Sequence, residues 1–361
     1  MSYNRAEGRR GQGGNRVTTG NVFEFFIQCH LTERCNLRCL HCYQRGSKVP
    51  ELPFDQIETV IGEVAEMVAG WSAAYDIAFS LSYNVTGGEP YLRSDLFEIL
   101  KKIREGEALF YILTNGTLVT REIALRTAES GAAGVQVSLE GPEHIHDRIR
   151  GRGSFARAMK GVRHLVSSGL LVTLNTTLSQ LNAGYITDLA AIARGCGARR
   201  LGFARLVPAG RGGALSGQML DSEGLRSVYS QLSSMTTGDL EIVIGDPIAS
   251  QMQGGGHIDP ASGLALSGCA VAVSGMTFLS DGTIVPCRRL PIPIGHVVKD
   301  NLREIWATSP VLNRLRDRNA YRGKCGGCER WTLCRGCRAI AHACSKSEQE
   351  GYLDTDPQCF L

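Results

Sequence analysis

The stretch Ala108–Leu139 reads ALFYILTNGTLVTREIALRTAESGAAGVQVSL. Its opening, ALFYILT, is rich in aromatic and β-branched residues and predicts a strand. REIALRTAESG then places apolar residues at helical spacing and stops on Gly131. GVQVSL predicts a second strand. Strand, helix and strand in so short a span make one unit of a parallel sheet with outside helices.

The same alternation extends both ways. Upstream, SDLFEILKKIREG predicts a helix with Ser94 as N-cap, and DIAFSLSYNVT a strand. FDQIETVIGEVAEMVAG predicts a helix ending on Gly70, and VFEFFIQCHL (Val22–Leu31) the first strand. Downstream follow the helix SFARAMKGVRHLVSSG, the strand LLVTLNTTL, the helix ITDLAAIARGCG, the strand RRLGFARLV and the helix SEGLRSVYSQLSSM. Six such units specify an α/β chain, a partial (β/α)6 TIM-like barrel that is curved and partly open. They are too few for the eight-unit barrel. After about residue 245 the pattern changes to Gly-rich loops, short strands and cysteines, a small α+β domain. The expected division is a disordered basic, Gly-rich tail over 1–21, the barrel over 22–245 and the cysteine-rich domain over 246–361. The link from Gly238 to Ser267 stays unassigned.

Hydrophobic residues make up 43% of the 361, enough for a buried core. A net charge of +4, dispersed along the chain, argues against nucleic acid. No run of eighteen apolar residues predicts a membrane span. The N-terminus has no apolar secretory segment, so the cytoplasm is expected. There the 13 cysteines stay reduced, and clustered ones more often bind metal or do redox chemistry than form disulfides.

Three thiols fall at C-x3-C-x2-C directly after the first strand: Cys35, Cys39 and Cys42. In a parallel barrel that places them on the C-terminal face, where such folds carry their chemistry. Three cysteines can ligate three irons of a [4Fe–4S] cubane and leave the fourth open to a small molecule. A zinc site or free thiols are the alternatives, although structural zinc wants four closed ligands. Cys29, inside the apolar strand, reads as a core thiol, and Cys196, at a helix end, as structural.

These residues resemble the radical S-adenosylmethionine (radical SAM) superfamily. TGGEP (Thr86–Pro90) follows the second strand, LTNG the third and VSLEG the fourth; the loop HDRIRGRGSF (His146–Phe155) comes next. The resemblance implies that the backbone around Gly87, Gly88, Glu89 and Pro90 receives the methionine amino group. It also implies that Ser138 and Arg150 hold the ribose and carboxylate, and that His41 lies against the adenine. Small Gly87 and Gly88 would admit close backbone approach to the ligand. Glu89 would accept from an ammonium. Asn115 and Glu140 would contact the nucleoside or make local turn bonds. Asn175 and Arg205 would line the cavity or serve structure. The family's activity is reductive cleavage of S-adenosylmethionine to a 5′-deoxyadenosyl radical, which abstracts hydrogen from substrate.

The later cysteines resemble the SPASM extension, which holds auxiliary iron–sulfur clusters. DGTIVPC predicts a hairpin turning at Asp281-Gly282 and leading into Cys287. CGGCERWTLCRGC then supplies Cys325, Cys328, Cys334 and Cys337, with a last gap of two residues where the family usually has three. By position Cys269, Cys287 and Cys337 serve one [4Fe–4S] cluster, either open or completed by Cys344. Cys325, Cys328, Cys334 and Cys359 serve the other. Paired zinc sites are the rival.

The implied enzyme is a radical SAM/SPASM oxidoreductase or maturase, supplied with electrons by a flavodoxin or ferredoxin. The expected substrate is a ribosomal peptide. Side-chain modification of a tetrapyrrole in haem or haem d1 synthesis is the alternative, and a non-catalytic electron carrier the alternative of another class. Sulfatase maturases carry an acid after the cysteine matching Cys287, and Arg288 stands there. The residues before the first strand are too few for a leader-binding domain.

Overall fold

A computed structural model of the chain describes residues 22–44, 46, 49–252, 268–347 and 349–361. The tail read over 1–21 and much of the link before Ser267 lie outside the described residues. The barrel begins with β1 (Phe23–His30), α1 (Phe54–Tyr75), β2 (Phe79–Thr86), α2 (Leu96–Glu105), β3 (Leu109–Thr114) and α3 (Arg121–Glu129). It continues through β4 (Gly134–Ser138), α4 (Glu143–Arg150), α5 (Ser154–Ser167), β5 (Val172–Leu178), α6 (Ile186–Gly195), β6 (Arg200–Arg205) and α7 (Ser222–Ser234). β7 (Glu241–Ile244), β8 (Gly275–Phe278), β9 (Thr283–Val285), β10 (Gly295–His296), α8 (Leu302–Thr308), α9 (Pro310–Arg316) and α10 (Arg338–Cys344) complete it.

All ten strands form one sheet in the order β10-β9-β8-β1-β2-β3-β4-β5-β6-β7. β1 to β7 run parallel, each beside the next, as six strand–helix alternations require. β8 pairs parallel with the free edge of β1, placing Phe26 opposite Gly275 and Cys29 opposite Phe278. β9 then turns back on β8 through the Asp281-Gly282 hairpin, where the Gly282 N–H donates to the Leu279 carbonyl at 2.9 Å. The sheet thus passes through residues assigned to both parts of the chain.

Helices pack their apolar faces on the sheet. Val64 and Met67 of α1, Ile99 and Leu100 of α2, Val162 and Leu165 of α5 and Leu189 of α6 are buried against the strand residues Ile27, Val85, Ile112, Val137 and Leu174.

Four local expectations need correction. α1 does not end at Gly70 but runs to Tyr75 and is capped by Asp76 in the left-handed region, φ 53°. Gly70 lies under the Arg303 guanidinium, which donates to the Glu66 carbonyl at 2.7 Å. α2 is capped by Asp95, not Ser94; the Asp95 carboxylate is held by Arg93 at 2.6 Å and 2.9 Å. The first half of HDRIRGRGSF is not loop but the end of α4, which buries Ile145, His146 and Ile149. Finally, β7 arises inside the unassigned link as a seventh parallel strand.

Candidate functional site

The C-terminal ends of the parallel strands surround a cavity of about 400 Å³. Cys35, His41, Cys39 and Cys42 reach it from the segment after β1. Gly87 and Gly88 reach it from the end of β2, Asn115 from the end of β3, and Ser138 from the end of β4. Asn175 and Thr177 of β5 and Arg205 of β6 complete that part of the wall, and Arg150 enters from α4.

The three thiols are free; Cys39 is buried, Cys42 half-buried and Cys35 exposed. Each of two has a cavity-lining donor beside it. Asn115 Nδ2 lies 3.8 Å from Cys35 Sγ and also donates to Asn36 Oδ1 at 2.9 Å. Arg150 Nη1 lies 3.7 Å from Cys39 Sγ. Burial raises the pKa of the Cys39 thiol. Iron binding here must therefore displace protons.

Gly87 and Gly88 are fixed by the chain's own backbone. A Cβ on Gly87 would lie 2.3 Å from the Thr32 carbonyl oxygen, and one on Gly88 2.1 Å from that of Arg34. The Gly88 and Glu89 N–H groups donate to those two carbonyls at 2.6 Å and 2.8 Å. The glycines thus lock the TGGEP turn to the start of the cysteine segment. Gln44 Nε2 donates to the Gly87 carbonyl at 2.5 Å.

Glu89 does not face the cavity. Its carboxylate is fully buried and accepts from Thr114 Oγ1 at 2.7 Å, the Asn115 N–H at 2.8 Å and the Tyr91 N–H at 3.3 Å. Burial outweighs these bonds and pushes its pKa up to about 7. It braces the end of β3 and positions Asn115, so its geometry does not suit an ammonium acceptor. Pro90 begins a short turn over Pro90–Leu92 and is buried away from the cavity too.

A second buried carboxylate organises the other side. Glu140 Oε1 accepts from Arg150 Nε at 2.9 Å and Nη2 at 2.6 Å, and His41 Nε2 stands 2.9 Å away. Its Oε2 accepts from the Thr177 N–H at 2.9 Å. Burial works to raise the Glu140 pKa, but Arg150 and His41 prevail and hold it well below the carboxylate range. Behind it, burial drives the His146 pKa down to about 4, and its Nδ1 accepts from the Glu140 N–H at 3.3 Å. His41 Nδ1 is buried without a partner among the described residues.

Arg205 is not free to serve the cavity alone. It is buried between Asp246, held at 3.0 Å and by a second short contact, and Asp356 at 2.7 Å, with Gln358 Oε1 accepting at 2.8 Å. Asn175 sits opposite Ser138 across the β4–β5 pair. Of the remaining thiols, Cys29 packs against the core and burial pushes its pKa up to about 12. Cys196 donates to the Ala193 carbonyl at 3.3 Å.

The C-terminal thiols gather in two places. Cys269, Cys287 and Cys337 line a cavity of about 90 Å³ that adjoins the first. Cys325, Cys328, Cys334 and Cys359 line another of about 390 Å³. In the latter, Gln251 Nε2 lies 3.5 Å from both Cys334 Sγ and Cys359 Sγ. Cys344 stands in neither wall; it is exposed, with its sulfur 3.9 Å from Met219 Sδ. Among the described residues no three His, Cys, Asp or Glu side chains converge closely enough to hold a single metal ion.

Sequence reasoning missed Gln44 and Arg211, and Arg289 beside Arg288, all at the cavity wall. For Arg289 the available signal was its place two residues after Cys287.

A model of the radical SAM superfamily matches residues 30–189, and one of the SPASM iron-sulfur cluster-binding domain matches residues 269–338. The chain is 31% identical over 354 residues to an AdoMet-dependent heme synthase of Methanosarcina barkeri, covering 92% of this chain and 95% of that one. It is 28% identical over 341 residues to the mycofactocin maturase MftC of Mycolicibacterium smegmatis, covering 91% and 81%. Among solved structures it resembles Streptococcus suis SuiB bound to S-adenosylmethionine, with a TM-score of 0.70, 19% identity and coverage of 94% and 78%.

Proposed function

The chain belongs to the radical SAM superfamily and carries the SPASM extension, and on that premise we propose that it modifies a ribosomal peptide by hydrogen abstraction. The chain is an enzyme whose cofactors are S-adenosylmethionine and iron–sulfur clusters. One observation carries the assignment of the site: Cys35, Cys39 and Cys42 stand together on the wall of the large cavity at the strands' C-terminal ends.

The residues present fit the cofactors. Three thiols match a cluster with an open iron. The orphaned His41 Nδ1 offers a polar partner to a nucleoside, and Gly87 and Gly88 leave the cavity wall beside it free of side chains. Bound there, the cluster and S-adenosylmethionine supply one-electron cleavage of the sulfonium and a 5′-deoxyadenosyl radical that takes hydrogen from substrate. The chain's own groups do the positioning. Glu140 fixes Arg150 and His41, Glu89 fixes Asn115, and the glycine turn is fastened to Thr32 and Arg34. Cys269, Cys287 and Cys337 would hold one auxiliary cluster, and Cys325, Cys328, Cys334 and Cys359 the other. An external flavodoxin or ferredoxin in the cytoplasm would supply electrons. Among the described residues no helix is long and apolar enough to cross a membrane.

Similarity to mycofactocin maturases over 91% of the chain supports the peptide. A tetrapyrrole is the second reading, supported by the likeness to heme synthases and by the arginines of the cavity wall. Anaerobic assays for 5′-deoxyadenosine decide between them. Stimulation by a small peptide encoded beside this chain favours the first, and stimulation by a carboxylated porphyrin the second.

Two further outcomes are expected. Anaerobically reconstituted protein holds about twelve irons, four in each of three clusters. Saturation near four irons with two bound zinc ions would instead assign the C-terminal sites to zinc. Arg150→Lys keeps the charge but loses the fork that meets Glu140 and Cys39 together. S-adenosylmethionine binding should weaken by about 1–3 kcal/mol, the range for hydrogen bonds to charged groups. Arg148→Lys and Arg152→Lys, on exposed side chains, should bind as the parent does. Equal affinity in all four proteins, by calorimetric titration, removes Arg150 from the cofactor site.

A further inference from the structure

Six arginines line the large cavity, against one carboxylate, that of Glu33. Arg150 and Arg205 are neutralised within the protein, by Glu140 and by Asp246 with Asp356. Arg38 and Arg211 lie beside the thiols, Arg38 adjoining Cys39 in the chain and Arg211 Nε donating to the Cys39 carbonyl at 3.1 Å. Arg288 and Arg289 are different. They follow Cys287, and they line both this cavity and the smaller one beside it. Arg288 donates to Gln28 Oε1 at 3.2 Å and stands 5.9 Å from the Tyr43 ring centre. Arg289 donates through Nη1 to the Arg205 carbonyl at 3.2 Å, while its Nε is buried with no partner. Neither is paired with a carboxylate among the described residues.

Arg289 has the Cys287 and Cys337 thiols and, farther off, Asp246 near it, but no acceptor among the described residues meets its Nε, and an incoming carboxylate that accepts two parallel hydrogen bonds would. Two such groups lining one cavity match two carboxylates, or one carboxylate and another acceptor. Both uncommitted forks face the cavity that also carries the Cys35, Cys39 and Cys42 thiols. We infer that Arg288 and Arg289 form an anion subsite that selects a carboxylate-bearing substrate. This deepens the function proposed above and rests on it for the substrate's fate, but not for its binding. The carboxylates could be the side chains of a macrocycle or the terminus of a peptide, and the experiment separates the two.

The reconstituted holoprotein is titrated, by equilibrium fluorescence quenching without reductant, with coproporphyrin III and with its uncharged tetra-amide. A second pair is a labelled octapeptide with a free C-terminal carboxylate and its carboxamide. At least a tenfold preference for the acid is expected in one pair, and that pair names the source. Arg289→Gln and Arg288→Gln should reduce the preference below about threefold with iron content unchanged, and Arg289→Lys should retain part of it. Equal affinity within both pairs overturns the inference, as does a preference that survives both Gln variants. Loss of iron from the Gln variants with the preference intact also overturns it, because the arginines would then balance cluster thiolates. Because no turnover is measured, failure here is distinct from failure to cleave S-adenosylmethionine.

Discussion

Replacing Cys35, Cys39 and Cys42 together by Ala abolishes S-adenosylmethionine cleavage while leaving the auxiliary clusters in place. The three thiols are the ligands proposed for that cluster, and among the described residues no other cysteine lines the cavity. An alanine offers iron nothing, and three losses leave no partial site to be rescued by a solvent ligand. The C-terminal thiols line separate cavities, so their clusters should assemble as before. The expected protein therefore holds about eight irons in place of about twelve. It should form no 5′-deoxyadenosine above the protein-free background under dithionite. Cleavage at the parent rate in that triple variant would remove these residues from the reaction. Loss of all iron would show that the C-terminal cavities do not assemble clusters independently.

The largest effect on stability is expected from Arg205→Met. Arg205 joins β6 to the segment after β7 through Asp246, and to the C-terminal domain through Asp356. All three side chains are buried, and Asp356 also accepts from the Cys337 N–H at 2.7 Å. Burial works to raise the Asp356 pKa, yet Arg205 prevails and lowers it. Methionine fills much of the volume but leaves two buried carboxylates uncompensated. Removing one partner of such a pair destabilises by about 3–5 kcal/mol. A fall of several degrees in the anaerobic thermal midpoint is the expected sign. Adding Asp246→Asn and Asp356→Asn to Arg205→Met should recover part of it, because the stranded charges are then gone. An unchanged midpoint for Arg205→Met would mean that water already reaches these groups.

β1 to β6 were legible because each is a compact apolar run bounded by turn residues, as in GVQVSL before Glu140 and LLVTLNTTL before Ser179. β7 was not, since EIVI is four residues long and none of them is fully buried. α4 was hidden by the glycines of HDRIRGRG, which mark the end of the helix rather than its absence. In the site, cysteine spacing announced the three thiols, and the glycine turn announced itself. Which way a carboxylate points is not written locally. Glu89 turns inward to Thr114, and Glu140 meets a histidine 99 positions earlier in the chain. Asp356 likewise finds Arg205 across 151 positions. Pairings of that kind are made by the fold, and no local pattern encodes them.

The pairing of β8 with β1 bears on how the molecule is made. β1 is synthesised long before β8, and β2 covers only one of its edges. The other edge stays bare until Gly275–Phe278 has been synthesised. In that interval the nascent barrel carries an exposed strand with unsatisfied N–H and C=O groups, the kind of template on which chains associate wrongly. Closing it is a contact of long sequence separation, hence a late and slow one. The cysteine-rich end of the chain, besides holding clusters, is the piece that makes the barrel safe to release.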